Sequence, residues 1–466
     1  MNTKQLQYWD QKYLWHPFTQ MQEWSQILVI DKGQGSWLRD TEGNWYLDGV
    51  SSLWTTVHGH REKTLNRAIV KQLNQVAHST LLGLSNVPSI LLAKELVQIA
   101  PQGLRKVFYS DSGSTAVEIA LKMAYQYWKL KGEKRPYFLK FQNAYHGDTL
   151  GGVSVGGIEL FHNIFSPLLF KTFQAPWPHT YWKPKAMALE IWKEKCLKNV
   201  EILLKKHGGK IASVIMEPLI QGASGMAMAP EGFLKCVEIL CRKYGVLLIV
   251  DEVATGFGRT GKMFACEWEN VRPDLMCIAK GISGGYLPLA ATLATEKIFA
   301  AFLGKYQEFK TFFHGHTYTG NPLACAAAIA SLQLFRKNKI LKKMESKIKT
   351  LQKLLEPLKS LPHVGDVRQR GFMVGIELIQ DKKKQIPYPI EKKMGIQVCQ
   401  FARSRKVLLR PLGNVIVLMP PLSISEKDLE FLVKVVKESI LAVKGGKRRR
   451  RRAGKTFVNN GSTGSP

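Results

Sequence analysis

The feature that most constrains this chain is an alternation. Between about residues 71 and 335, short apolar segments (KVFYS, YFLKF, SVIME, VLLIVDE, LMCIAK) alternate with longer amphipathic stretches. Short apolar runs of this kind predict strands buried on both faces, and the stretches between them predict the covering helices. The fold class that follows is α/β, with a mostly parallel sheet in a large domain over 71–335. Residues 1–70 read differently: strand-like ILVID, GSWLRD and WYLDGV are separated by turn signals at Lys32-Gly33 and Glu42-Gly43-Asn44. From about 336 a basic helix, KNKILKKMESKIKTLQKLL, leads to strands GFMVGIEL and VIVLMPP and to a last helix, SEKDLEFLVKVVKESILAV. Residues 1–70 and 336–444 are therefore expected to form one smaller α+β domain from both chain ends. No internal repeat is visible.

Size and composition agree with this plan. The 466 residues exceed one small core, and 45% hydrophobic with 22% charged residues is ordinary for a soluble enzyme. No apolar run reaches the roughly 18 residues of a membrane span. The opening MNTKQLQYWDQKYLWHPF lacks the charged-then-apolar pattern of a secretion signal. The seven cysteines are scattered without a CxxC pair, which argues for reduced thiols in the cytoplasm and offers no metal site. A net charge of +31 is the anomaly. Part of it lies in Lys447 to Pro466, where five consecutive arginines, Arg448 to Arg452, precede a turn-rich end; residues 445–466 are expected to be a basic disordered tail. Basic clusters attract phosphate backbones, but lysine-rich solvated helices account for the remainder, so nucleic acid is not the expected partner.

Four motifs point to chemistry. Asp251 closes the apolar run Val246–Val250, and ligands of open α/β sheets sit beyond such strand ends. Lys280 follows the strand LMCIA and precedes Gly281, Gly284 and Gly285. Partial desolvation there lowers an amine's pKa and frees it for Schiff-base chemistry, while the glycines allow a bulky group to approach. Asp111-Ser112-Gly113-Ser114-Thr115 lies between a strand and a helical run, where backbone N–H groups bind phosphate; simple helix capping by Ser112 or Ser114 is the plainer alternative. Tyr145, in Tyr145-His146-Gly147-Asp148 after another strand, can stack on a planar ring. A lysine, an acid, a phosphate cradle and an aromatic platform are together what pyridoxal 5′-phosphate requires. Gly256-Phe-Gly258-Arg-Thr-Gly261 formally matches a dinucleotide fingerprint, but it lies mid-chain behind two carboxylates that would repel phosphate, and reads as a turn-rich loop carrying Arg259.

The blocks DSGSTAVEIALK, AYHGDT, VDEVATGFGRTG, AKGISGGYLP and HGHTYTGNPLA resemble the class III, fold type I aminotransferases over about residues 10 to 440. The resemblance implies a homodimer acting on small-molecule substrates. Gly315, His316 and Thr317 of one subunit would approach the cofactor phosphate of the other. Within the class, WHPFTQM, SSLWTTVHGH and RPLGNVIVLMPPL look most like the branch of biotin biosynthesis that aminates 8-amino-7-oxononanoate. Acetylornithine and 4-aminobutyrate aminotransferases share the cofactor motifs and form the alternative. The branch resemblance implies that Arg410 binds the substrate carboxylate, which a planar guanidinium grips through two parallel bonds. It also implies that Leu53 and Trp54 touch substrate and that Phe18 joins Lys280 and Asp251 in the catalytic set. Phe18, Leu53, His316 and Val417 stand where members using S-adenosylmethionine carry tyrosine, tryptophan, proline and tyrosine. Fewer aromatic faces attract a sulfonium less strongly, so lysine is expected to serve as donor at least as well.

Overall fold

The computed structural model describes residues 2–24 and 27–443, so the expected basic tail lies outside the described residues. Its centre is a seven-stranded sheet in the order Leu104–Ser110, Ala290–Thr295, Leu275–Ile278, Leu247–Asp251, Ile211–Met216, Tyr137–Phe141, Phe173–Ala175. Ala290–Thr295 runs antiparallel to both its neighbours, while the other pairings are parallel. All five strands read from the sequence are present. Their continuous apolar character has a direct cause: Leu247 and Ile249 pack into the layer under the Gly113–Leu130 helix, while Leu248 and Val250 join the opposite layer. Burying each such side chain contributes roughly 1.5–3 kcal/mol, so neither face of the strand tolerates a polar residue.

The helix that shields one face starts where its sequence says it should. The Ser112 hydroxyl accepts the N–H of Thr115 and the Thr115 hydroxyl accepts the N–H of Ser112, a reciprocal cap. Ala116, Val117, Ala120, Met123, Tyr127 and Trp128 then line its buried side, and Gly132, at φ 79°, follows its end.

Both chain ends meet in a four-stranded sheet. Ile30–Gln34, Trp37–Asp40 and Trp45–Asp48 form an antiparallel meander. Val407–Leu408, from the far end of the chain, adds to it in parallel beside Leu47 and Asp48. A second sheet joins Val364–Arg370, Met373–Asp381, Val415–Leu418 and Arg410–Leu412. The helix Thr3–Tyr13, capped by the Asn2 side chain, is absent from the sequence reading. The glycine-rich loop 256–261 opens no helix. Its Arg259 is fully buried and donates to the carbonyls of Pro420 (2.7 Å) and Thr56 (2.9 Å). The loop ties three distant segments together and offers no helix N-terminus for a pyrophosphate.

Candidate active site

Six of the seven central strands run in one direction, and residues at or just beyond the ends of five of them converge. Asp111, Tyr145, Glu217, Asp251 and Lys280 all lie on the wall of one cavity of about 790 Å³. This is the edge at which open α/β sheets place ligands.

Lys280 follows the Leu275–Ile278 strand and takes a left-handed backbone conformation, φ 45°. That turn aims its amine across the cavity, 4.8 Å from the centroid of the Trp54 ring. Burial holds the amine below the ordinary lysine range; Asp251 and Glu217 oppose the shift and Arg259 adds to it. A lysine with a weakened grip on its proton is available as a nucleophile near neutral pH. Gly281 packs against Phe257, with a Cβ at this position falling 2.9 Å from the Phe257 Cβ, so the turn has no room for a side chain.

Asp251 and Glu252 divide their work by strand alternation. The Asp251 carboxylate reaches into the cavity, where its Oδ2 lies 2.7 Å from His146 Nδ1 and its Oδ1 accepts the Val253 N–H at 3.0 Å. Glu252 points away and accepts from Ala265 N, Cys266 N and the Thr255 hydroxyl. His146, next to Tyr145 in sequence, thereby becomes part of the site, and its buried Nε2 has no partner among the described residues.

Glu217 was not singled out from the sequence. It ends the Ile211–Met216 strand as Asp251 ends its own, so the rule that selected Asp251 applies to it as well. Its carboxyl group accepts the N–H groups of Gly222 (2.8 Å) and Tyr145 (3.2 Å). Burial pushes it up to about 7, with Asp251 reinforcing and His146 opposing the shift. The folded protein therefore binds a proton here that the unfolded chain has lost above its free value of 4.5. This group's contribution to stability is complete below pH 4.5 and disappears as pH rises through about 7, a change of about 3 kcal/mol. Glu217→Gln should flatten that part of the profile. Melting temperatures of the cofactor-free protein at pH 5 and pH 7 check this, and an identical pH response in variant and wild type would contradict it.

The helix Gly113–Leu130 presents its N-terminus to the cavity through Ser112, Gly113 and Ser114. A Cβ on Gly113 would lie 2.5 Å from Val253 Cγ1, so only glycine lets the helix start this close to the loop after Asp251. The Ser114 hydroxyl is engaged with Thr149, Oγ to Oγ1 at 2.7 Å. The anion-binding capacity here therefore resides in the backbone N–H groups and the helix dipole. Tyr145 flanks them. Its hydroxyl donates to Asp148 (2.7 Å), and its ring lies nearly parallel to His162, with centroids 6.2 Å apart.

The outer wall comes from the chain ends: Phe18, Leu53, Trp54, Arg410 and Leu412, with Phe161 edge-on to Phe18. Trp54 is buried while Leu53 and Phe18 are exposed at the mouth. Not every residue expected near the site is there. Val417 is fully buried in the sheet, paired with Arg410 and Gly375, and does not line the cavity. Gly315, His316 and Thr317, expected at the phosphate of another subunit, lie off this cavity's wall, with His316 Nδ1 2.8 Å from Asp111 Oδ2. Among the described residues no cluster of His, Cys, Asp and Glu could hold a metal ion.

These side chains fit a phosphorylated pyridine aldehyde: an amine for the aldehyde, an acid for the ring nitrogen, N–H groups for the phosphate and a ring for the flat face. The aminotransferase class-III family model matches residues 19–440. The adenosylmethionine-8-amino-7-oxononanoate aminotransferase of Geobacter sulfurreducens is 52% identical over 96% of this chain and 99% of its own length. The crystal structure of the protein of that name from Methanocaldococcus jannaschii superposes with a TM-score of 0.90 at 49% identity, covering 95% and 99% of the two chains. An amine transaminase from an uncultivated Pseudomonas species, solved in its PLP-bound form, superposes at 0.88 with 34% identity, over 93% and 99%. The cofactor is pyridoxal phosphate. The chain belongs to the class III aminotransferases.

Proposed function

We propose that the protein transfers an amino group to 8-amino-7-oxononanoate, forming 7,8-diaminononanoate in biotin biosynthesis. The observation that carries this reading is a cavity that joins the cofactor set at its floor to Arg410 on its outer wall. Full-length relatives about half identical in sequence, named for this substrate, support it over acetylornithine or 4-aminobutyrate. When bound, pyridoxal phosphate supplies the electron sink and the carbon that carries nitrogen between the two substrates. The chain's own residues do the rest. Lys280, whose amine holds its proton less tightly because it is buried, would hold the cofactor covalently, yield to the incoming amine and carry a proton to and from the substrate carbon as base and acid. Asp251, fixed by His146, keeps the ring nitrogen protonated. The N–H groups of Gly113 and Ser114 hold the phosphate, and Tyr145 stacks on the ring. Arg410 grips the substrate carboxylate, while Leu53, Trp54 and Phe18 enclose its chain. Gly315, His316 and Thr317 lie off their own subunit's cavity, and in a homodimer they reach the partner's phosphate. The enzyme works in the cytoplasm; all seven cysteines are free thiols.

The donor is S-adenosylmethionine or lysine. Phe18 and Leu53, at the mouth, offer no phenol or indole to a sulfonium, and this favours lysine. Lysine should then support turnover at least as well as S-adenosylmethionine. Cofactor-loaded enzyme mixed with 8-amino-7-oxononanoate and each donor in turn, assayed for diaminononanoate, checks both substrate and donor. Product with S-adenosylmethionine alone would reject the lysine assignment, and no product with any donor would reject the acceptor.

A further inference from the structure

Leu53 and Trp54 reach the cavity along a backbone path that residues with side chains rarely take. Ser51, Ser52 and Trp54 have φ of 52°, 60° and 65°, and none is glycine. Such a run persists only where its surroundings over-determine it. One carboxylate supplies most of that hold. Asp48, 1% exposed at the end of its strand, accepts the Ser52 N–H on both oxygens (2.8 and 3.0 Å) and the Val50 N–H at 3.3 Å. His60 Nε2 lies 2.9 Å from the same carboxylate. His60 is itself anchored, its backbone exchanging N–H to carbonyl bonds with Gly35 (2.7 and 3.0 Å). The Ser51 hydroxyl adds a bond to the Met419 carbonyl at 2.8 Å. Neither Asp48 nor His60 lines the cavity.

We propose that the Asp48–His60 pair is a positioning device that sets substrate selectivity by holding Leu53 and Trp54 against the cavity. It rests on the reading above only in taking this cavity as the place where substrate binds. Both oxygens of the carboxylate are needed, since one backbone N–H is shared between them while Val50 and His60 claim the remaining lone pairs. An amide at this position keeps one acceptor oxygen and introduces an NH₂ facing a backbone donor. The segment then relaxes, and Leu53 and Trp54 lose their fixed place. Lys280 and Asp251, set by other strands, keep their backbone positions, and the floor changes only in the contact between the Lys280 amine and the Trp54 ring.

The test uses the cofactor-loaded full chain carrying Asp48→Asn. Asp40→Asn is the matched control: Asp40 is similarly buried in the neighbouring strand, accepts from Glu42 N, Asn44 N and the Tyr46 hydroxyl, and stands away from the cavity. For Asp48→Asn the KM of the acceptor should rise about tenfold while kcat changes by less than about threefold, the signature of lost binding without lost chemistry. Hydrogen exchange over residues 50–56 should accelerate, and the covalently held cofactor should be retained. Adding Ser52→Gly should recover part of the KM, because glycine meets the positive φ without steric cost. If Asp48→Asn fails to fold, His60→Gln carries the same measurements. An unchanged KM beside faster exchange, or an equal KM rise in Asp40→Asn, overturns the proposal. If wild-type enzyme does not accept 8-amino-7-oxononanoate, the functional reading fails by itself, and KM is measured with an amine that the wild type does accept.

Discussion

Lys280→Ala protein should fold, keep pyridoxal phosphate only non-covalently, and lose transamination by about 10⁴-fold or more, since in the proposed mechanism one side chain is both nucleophile and proton carrier. The geometry isolates the effect. Lys280 has no ion pair among the described residues, and its amine approaches the Trp54 face at 4.8 Å, so removing it leaves no buried charge unpaired. Truncation at a cavity wall leaves no sealed void either, which keeps the structural cost small. Two measurements check the expectation: borohydride treatment followed by peptide mapping, and single-turnover kinetics. Cofactor still fixed to the chain after reduction would mean that another lysine holds it.

Asp251→Asn should be the next most damaging change, lowering kcat by about 10²–10³-fold while cofactor still binds, because an amide cannot fill the role proposed for the carboxylate of holding a proton on the ring nitrogen. The bond to His146 limits collateral change, since an asparagine side chain can still meet Nδ1, and the Val253 N–H keeps an acceptor. Steady-state kcat, with cofactor content determined on the same samples, is the readout. Turnover within a few-fold of wild type would reduce Asp251 to a cap on the loop that follows it.

The parts of this molecule legible in the sequence are those governed by local pattern. VLLIVDE and LMCIAK read as buried strands because each face meets a helix layer, and Asp251 and Lys280 stand out because strand ends at one edge share a destination. The strand Ala290–Thr295 escaped because PLAATLAT is dominated by alanine, a residue with little preference for a pleated surface; its pairing with Leu104–Ser110 and Leu275–Ile278 is a tertiary decision. His162 behind Tyr145 carries no sequence signal, since the intervening turn and short helix decide where it lands. Val417 shows the opposite failure. Resemblance put it beside the donor, but Val417 is fully buried in the sheet, paired with Arg410 and Gly375, and off the cavity wall, so it has no direct contact with a donor there.

The parallel pairing of Val407–Leu408 with Leu47–Asp48 has a consequence for how the enzyme comes into being. During synthesis at about 5–20 residues per second, the roughly 360 residues between Asp48 and Leu408 take about 20 to 70 s to add. The central sheet, complete by Thr295, has its strands available well before then, whereas the meander that carries Asp48 waits with an open edge for its last strand. Lysine and acid can therefore be in place on the ribosome before Arg410 and Leu412 complete the outer wall. A chain interrupted between residues 300 and 400 would carry Lys280 and Asp251 but lack Arg410 and Leu412, which close the outer wall.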